Sequence, residues 1–563
     1  MTEKLTGSQL IADLLENYGV THVFFVPTIL NHSLYQMEKR TNISRVLAHS
    51  EKAAAYMADG YARASGRPGV CMAQTVGAAN LAAGLRDGAM AASPMVAITG
   101  GPFSHTRDRY QYQEINDQPM FAGVTKSSTR VESLERLAPT IRQAFRVATT
   151  GRPGAAHIEL ANHHGDALEL LEGELDSSAD ERFRQLPPFR PSPDEADVVR
   201  AAELLASAKR PVIVAGGGVR YSGAREELVA LAEELSIPVA ASLSGKDVIP
   251  AGHQLSAGVV GLYSRETANR IVSEADLVFF IGTKTGSLMT HSWRIPAPGV
   301  DVIQCDISGD VAGLNYRNAA SLVGDARRSL ELLTEAVRGI TKRTDRTTWI
   351  ARVRSIIDAW YKSTSDVRGS DAVPMRPERM CKEISAVLPE NAVLVADTGH
   401  SGVWAASMID LASKDQILLR AGGSLGWAFP ASIGAQCALP DRPVVCFNGD
   451  GGMWYHISEL ETMARWNIPA TIVVNNNNAF NQEIGLWTAA YEGELHGRHA
   501  EMWQFRPTSF AAIARDMGVP ATTVEQPGEL AEVLQSAIET EGPYLVEVIT
   551  DTWARSPKAF HPD

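Results

Sequence analysis

The chain has 563 residues, 45% of them hydrophobic and 21% charged, and a formal net charge of −13. That length is enough for about three α/β cores of ordinary size, and the acidic balance argues against nonspecific nucleic-acid binding. No segment approaches the apolar length of a membrane span, and Met1-Thr2-Glu3-Lys4 lacks the charged start and apolar core of a secretion signal. Cys71, Cys305, Cys381, Cys437 and Cys446 are scattered, odd in number and without CxxC spacing, so reduced thiols and a cytoplasmic location are expected.

In chain order, residues 1–181 form a first unit with strand candidates at Val23-Phe24-Phe25-Val26, Val70-Cys71-Met72-Ala73 and Val96-Ala97-Ile98-Thr99 between Ala-rich helical stretches. Ile29 and Leu30 follow the first strand and read as an apolar substrate wall. Residues 182–194 contain Leu186-Pro187-Pro188-Phe189-Arg190-Pro191-Ser192-Pro193 and read as a linker, because proline disfavours continued helix or central strand. A Rossmann-like unit is expected over 195–340, where Pro211-Val212-Ile213-Val214-Ala215 leads into Gly216-Gly217-Gly218 and Val302-Ile303-Gln304-Cys305 ends on Asp306. Residues 341–373 are a charged, helix-prone connector, residues 374–550 form the third unit, and residues 551–563 form a tail. The whole is therefore expected to be α/β, with three doubly wound domains and mainly parallel sheets.

The strongest local pattern lies in the third unit. Val444-Val445-Cys446-Phe447 reads as a buried strand, 458–466 as a helix and 470–474 as the next strand, which makes a βαβ crossover. Asp450 follows the first strand and Asn477, 27 residues on, follows the second, so both reach the carboxyl edge where open sheets bind ligands. A carboxylate and an amide oxygen suit a hard ion such as magnesium held against phosphate oxygens. Asp397-Thr398-Gly399-His400-Ser401 also follows a strand, bringing His400 and Ser401 to the same edge. Phe480 extends the expected apolar wall, and Glu492 and Glu494 are more distant acid/base candidates.

Together, Gly449-Asp450-Gly451-Gly452 and Asn475-Asn476-Asn477-Asn478 resemble the thiamine diphosphate motif of the acetolactate synthase and pyruvate decarboxylase superfamily. The resemblance covers nearly the whole chain. It implies a pyrimidine-binding, a central and a diphosphate-binding domain, with magnesium bound by Asp450, Asn477 and the Ala479 carbonyl. Glu51, in a passage resembling the superfamily's glutamate-bearing helix, would activate the cofactor; Ser50 stands where many relatives carry His. Thr75 and Gly77 would support the cofactor, Gly423 would offer its carbonyl to the aminopyrimidine, and Leu425 would wedge the rings into a bent shape. His400, Ser401, Gly449 and Gly451 would face the diphosphate. Gln113 would orient substrate as a catalytic amide, with Tyr112 beside it.

Residues 459–473 look especially like oxalyl-CoA decarboxylases and 2-hydroxyacyl-CoA lyases, and the tail resembles a segment that closes over CoA in those families, with Arg555 and Lys558 meeting phosphate. Residues 479–483 lack the Gly-Gly-Ile-Tyr arrangement of oxalyl-CoA decarboxylases. The resemblance thus points first to a 2-hydroxyacyl-CoA lyase releasing formyl-CoA, and secondly to an acetolactate synthase-like carboligase or 2-oxoacid decarboxylase. A cofactor-binding regulatory protein without turnover is the third reading. A nucleotide, ADP or CoA before FAD, is expected in the central unit. The expected partners are acyl-CoA and carbonyl substrates and a second copy of the chain, in a homodimer or homotetramer; neither nucleic acid nor membrane is expected.

Overall fold

A computed structural model describes residues 3–560. The last three residues of the expected tail lie outside the described residues. Three six-stranded sheets, every strand pair parallel, follow one another along the chain, with a small antiparallel pair of Glu3–Thr6 and Glu172–Leu175 beside the first. Their central strands read as continuous apolar runs because helices cover both faces: Val70 to Ala73 and Val444 to Phe447 are completely or almost completely buried.

The first sheet runs, edge to edge, Ser44–Leu47, His22–Phe25, Gly69–Ala73, Met95–Gly101, Ala155–Ala161 and Ser127–Val131. The third runs Ile417–Arg420, Val393–Ala396, Val444–Gly449, Ala470–Asn476, Tyr544–Ile549 and Ala521–Val524. Counted from the first strand of each unit, the two orders are identical. The central sheet has a different order, Ser256–Val259, Val239–Ala241, Pro211–Ala215, Leu277–Ile281, Asp301–Asp306 and Asn318–Val323. This is the Rossmann order, and its direction reverses beside Pro211–Ala215, where Gly216 follows. The expected α/β class and Rossmann-like centre are both present.

The first and third units dock through helices Glu51–Ser65 and Ala428–Ala438. The crossing is close because small residues meet backbone: a side chain on Gly60 would fall on the Ala431 carbonyl, and one on Gly434 on that of Met57. Arg63 lies inside this contact, donating to Asp59 at 2.8 Å and Asp87 at 2.7 Å, with Trp427 Nε1 donating to Asp59 at 2.9 Å. A buried cation is tolerable there because two carboxylates surround it.

Candidate active site

In the third sheet the register sets Gly449 beside Asn475, so the residues after both strands emerge side by side at the carboxyl edge. Asp450 opens a short helix, Asp450–Met453, and its carboxylate is held by main-chain donors from both strand ends: Gly451 N at 2.7 Å, Ala479 N at 3.0 Å and Asn477 N at 3.2 Å. Burial nevertheless pushes its pKa up to about 7. Asn477 Oδ1 is buried without a hydrogen-bond partner. A buried acid without a countercharge and an orphaned amide oxygen fit a cation, which would satisfy both. No cluster of three or more His, Cys, Asp or Glu among the described residues offers a competing metal site.

These groups line a cavity of about 410 Å³ together with His400, Ser401, Gly423, Leu425, Gly449, Gly451, Ala479 and Phe480. Phe480 leans on Gly451, where a side chain would strike its ring, and meets Phe505 edge-on at 4.7 Å. Gly423 and Gly426 have φ of 152° and 79°, so the 421–427 loop takes a path that favours glycine. Two acids hold that loop. Asp397 accepts from Gly426 N at 2.9 Å, and Asp87 of the first unit accepts from Gly422 N at 2.7 Å and Ser424 N at 3.1 Å. Asp397 is itself buried, which pushes its pKa up to about 7. His400 donates through Nδ1 to Asn481 Oδ1 at 2.6 Å, and its Nε2 accepts from Ser556 Oγ at 3.1 Å. Burial holds this imidazole below its usual range.

The tail crosses the same edge. Thr552 Oγ1 donates to the Asn477 carbonyl at 2.8 Å, Asn481 Nδ2 donates to the Ala554 carbonyl at 3.3 Å, and Arg270 stacks over Phe560 at 4.7 Å. Arg555 and Lys558 are exposed, and the Arg555 charge contributes to holding His400 below its usual range.

The first unit gathers a separate group. Ser50 caps helix Glu51–Ser65, accepting from Ala53 N at 3.1 Å, and Glu51 packs on Gly77 while accepting from Asn80 Nδ2 at 3.2 Å. Thr75 Oγ1 donates to the His163 carbonyl at 2.8 Å. Gln113, at φ 62°, has a buried Oε1 with no partner, and Tyr112 is exposed with its ring 6.5 Å from that of His163. None of these residues lines the 410 Å³ cavity, whose described lining begins at Tyr263. Glu51 and Asp450 therefore occupy two half-sites within one chain. Ile29 and Leu30, the expected apolar wall, are both fully buried in the first unit's core. Glu492 and Glu494 also lie outside the cavity lining.

A second cavity, about 920 Å³, opens where the central sheet reverses, with Gly217, Gly218, Thr283, Lys284 and Asp306 in its lining and Arg152 reaching in from the first unit. Gly216-Gly217-Gly218 is no simple turn; it leads into the short helix Gly217–Tyr221. Burial raises the Asp306 pKa although Arg152 and Lys284 oppose the shift.

Family comparisons match this architecture piece by piece. Residues 5–120 match the N-terminal TPP binding domain of thiamine pyrophosphate enzymes, 198–333 the central domain and 397–548 the C-terminal TPP binding domain. The chain belongs to the thiamine pyrophosphate enzyme family. Among its curated relatives, a probable acetolactate synthase large subunit of Methanocaldococcus jannaschii is 33% identical, covering 97% of this chain and 92% of the relative. The acetolactate synthase large subunit of Corynebacterium glutamicum is 29% identical over 97% of this chain and 87% of its own length. Acetolactate synthase 1 of Nicotiana tabacum, a chloroplastic protein, is also 29% identical, over 97% and 82% respectively. As a thiamine pyrophosphate enzyme, the chain carries the cofactor-binding domains at both ends, one with each half-site. No helix among the described residues is long and apolar enough to cross a membrane.

Proposed function

We propose that this protein is a thiamine diphosphate- and magnesium-dependent carboligase of the acetolactate synthase type, joining a two-carbon unit from a 2-oxoacid to a second carbonyl compound with loss of carbon dioxide. Similarity along 97% of the chain to a protein named probable acetolactate synthase large subunit carries this reading. The 2-hydroxyacyl-CoA lyase expectation finds no support in the named relatives.

Bound at this site, the cofactor supplies a nucleophilic carbon and an electron sink for making and breaking bonds beside a carbonyl. Asp450, Asn477 Oδ1 and the Ala479 carbonyl would hold magnesium, and Gly449, Gly451, His400 and Ser401 would face the diphosphate. Gly423 and Leu425 would contact the cofactor's rings, and the Glu51 carboxyl would hold or release a proton beside the pyrimidine. The amide of Gln113 would donate to the substrate oxygen on which negative charge develops. Since Glu51 lies off the Asp450 cavity, the working site takes Glu51, Thr75, Gly77 and Gln113 from a second copy, which makes a homodimer the smallest active unit. The 920 Å³ cavity would take a nucleotide at the reversal point of the central sheet, where Asp306 is placed to accept from a sugar hydroxyl.

Purified protein with thiamine diphosphate and magnesium is expected to consume pyruvate and release a coupled 2-hydroxyketone product, and Glu51→Gln is expected to abolish this. Cleavage of a 2-hydroxyacyl-CoA to formyl-CoA without pyruvate consumption would refute the proposal. An absorption spectrum of the purified protein tests whether the nucleotide is a flavin.

A further inference from the structure

Making or breaking a bond beside a carbonyl moves a proton at oxygen, and the first unit's half-site holds one side chain free to carry it. Gln113 can hydrogen-bond to an oxygen but cannot give up a proton near neutral pH. Glu51 accepts from Asn80 Nδ2 at 3.2 Å. The Glu114 carboxylate is committed to its own loop, accepting from Asp108 N at 2.6 Å and Gln111 N at 2.9 Å. His163 is different. Neither of its ring nitrogens is hydrogen-bonded to a described residue, and Nδ1 is buried. Elsewhere in the chain buried imidazoles are used on both sides: His157 bonds Thr99 and Ser128, each at 2.8 Å, and His400 bonds Asn481 and Ser556. An imidazole kept only for structure would satisfy its buried nitrogen in the same way.

The fold fixes where this ring stands. Its carbonyl accepts from Thr75 N at 3.0 Å and Thr75 Oγ1 at 2.8 Å, and a side chain on Gly100 would fall on that carbonyl. Its own N–H donates to Asn162 Oδ1 at 2.9 Å. Thr75 opens the turn that ends at Gly77, on which Glu51 packs. On the other side the Tyr112 ring meets the imidazole edge-on at 6.5 Å, one residue before Gln113. The imidazole therefore lies between the turn beneath Glu51 and the loop that carries Gln113. Burial and the neighbouring His164 hold it below the usual histidine range, while the Glu114 and Asp166 carboxylates pull it back up. A ring that is neutral at rest, with carboxylates near enough to favour its charged form, suits both taking and giving a proton.

We infer that His163 is a catalytic acid and base of the composite site, taking the proton of a product hydroxyl as its carbonyl is remade and giving it to the carbonyl oxygen of the next acceptor. The protons balance. In release, the O–H pair becomes the second bond of the carbonyl, the proton passes to the ring, and the pair of the bond that held the product stays with the cofactor. In joining, the acceptor's C=O pair moves to oxygen as the new carbon–carbon bond forms, and that oxygen takes the proton. The ring ends neutral, as it began. This rests on the carboligase reading for the identity of the carbonyl compounds, but cleavage of a 2-hydroxyacyl-CoA would move a proton at the equivalent oxygen.

The test uses the full-length protein with thiamine diphosphate, magnesium and pyruvate. His163→Ala is expected to lower kcat by about a hundredfold or more, with the KM for pyruvate, the calorimetric cofactor affinity and the urea midpoint unchanged. The fall in wild-type kcat below neutral pH should vanish in the variant, and added imidazole should restore part of its rate. His164→Ala, which removes the neighbouring ring, should keep most of the activity. In ligand-free protein, modification of His163 by diethylpyrocarbonate, followed by peptide mass spectrometry across pH, should report a midpoint below the ordinary histidine range. After subunit exchange, His163→Ala mixed with Asp450→Ala should regain about one quarter of wild-type activity, and mixed with Glu51→Gln none. Activity within about threefold of wild type, a loss explained by cofactor affinity or stability, a rate that imidazole does not raise, or recovery with Glu51→Gln would overturn the inference. An unchanged role for His163 in a protein that cleaves a 2-hydroxyacyl-CoA and consumes no pyruvate would uphold it and sink the carboligase reading alone; a protein with neither activity would overturn both.

Discussion

Replacing Asp87 by Ala tests whether the first unit supports the cofactor half-site of the third. Asp87 is completely buried and pairs with Arg63 at 2.7 Å while accepting from Gly422 N and Ser424 N at 2.7 and 3.1 Å. Its loss leaves Arg63 with Asp59 as its remaining carboxylate and frees two loop amides. Removing one partner of a buried ion pair costs about 3–5 kcal/mol. Each freed amide adds about 1 kcal/mol, the low end for an unmatched donor because Gly422 and Ser424 are partly open to water. These contributions share partners and do not simply add, so a destabilisation of about 4 kcal/mol is expected. The assay is urea unfolding of the ligand-free protein, followed by calorimetric titration with thiamine diphosphate and magnesium. The loosened 421–427 loop should weaken cofactor binding by about tenfold, equivalent to about 1.4 kcal/mol. Asp87→Asn, which keeps one acceptor oxygen, should lose less in both assays. An Asp87→Ala protein with an unchanged urea midpoint and unchanged cofactor affinity would refute this reasoning.

Mixing Glu51→Gln with Asp450→Ala subunits should restore about one quarter of wild-type activity after exchange, because half of the dimers are mixed and each holds one intact composite site. Sites complete within one chain would give no recovery. Ligand-free protein should lose stability as pH rises from about 4 through 7, because Asp397 has a native pKa near 7, well above its unfolded value. The Asp397 contribution is fully present below the unfolded value and is lost as pH rises through the native one. Asp397→Asn should flatten this slope in denaturant midpoints measured across the range; an unchanged slope would exclude Asp397 as a source. Four of the five thiols are buried and all are free, with burial pushing Cys305 and Cys437 up to about 12. A thiol reagent at pH 8 should therefore label the native protein slowly and all five cysteines quickly in denaturant, and rapid native labelling would contradict this packing. Gly60→Val should disrupt the helix crossing at Ala431 and destabilise the chain by about 1–3 kcal/mol, measurable in the same urea assay.

Much of the layered α/β order was readable because buried parallel strands such as Val444-Val445-Cys446-Phe447 are uninterrupted apolar runs ending in glycine or polar residues. The Asp450 and Asn477 pairing was equally readable, since one crossover connects the two strand ends. Asp59, Arg63 and Asp87 were missed as a group because their meeting depends on two domains docking, which no local periodicity records. The usable signal was their charge inside the Ala-rich helices Glu51–Ser65 and Ala78–Ala91. Ile29 and Leu30 were ambiguous for the opposite reason: an apolar pair after a turn suits a pocket wall and a domain core equally, and the fold buries both in the core.

The identical strand orders of the first and third sheets place the two half-sites in correspondence. Glu51 follows the second strand of its unit, as the 421–427 loop follows the second strand of the other; Thr75 to Gly77 follow the third strand, as Asp450 to Gly452 do. The docking helices Glu51–Ser65 and Ala428–Ala438 are likewise counterparts. The two sheets thus repeat one architecture with different side chains at matching positions. One copy carries Glu51 beside a bare glycine loop, and the other carries Asp450 and Asn477 at the corresponding edge. The chain is thus internally a pseudo-symmetric pair, and its self-association would repeat between molecules a relationship already present within each one.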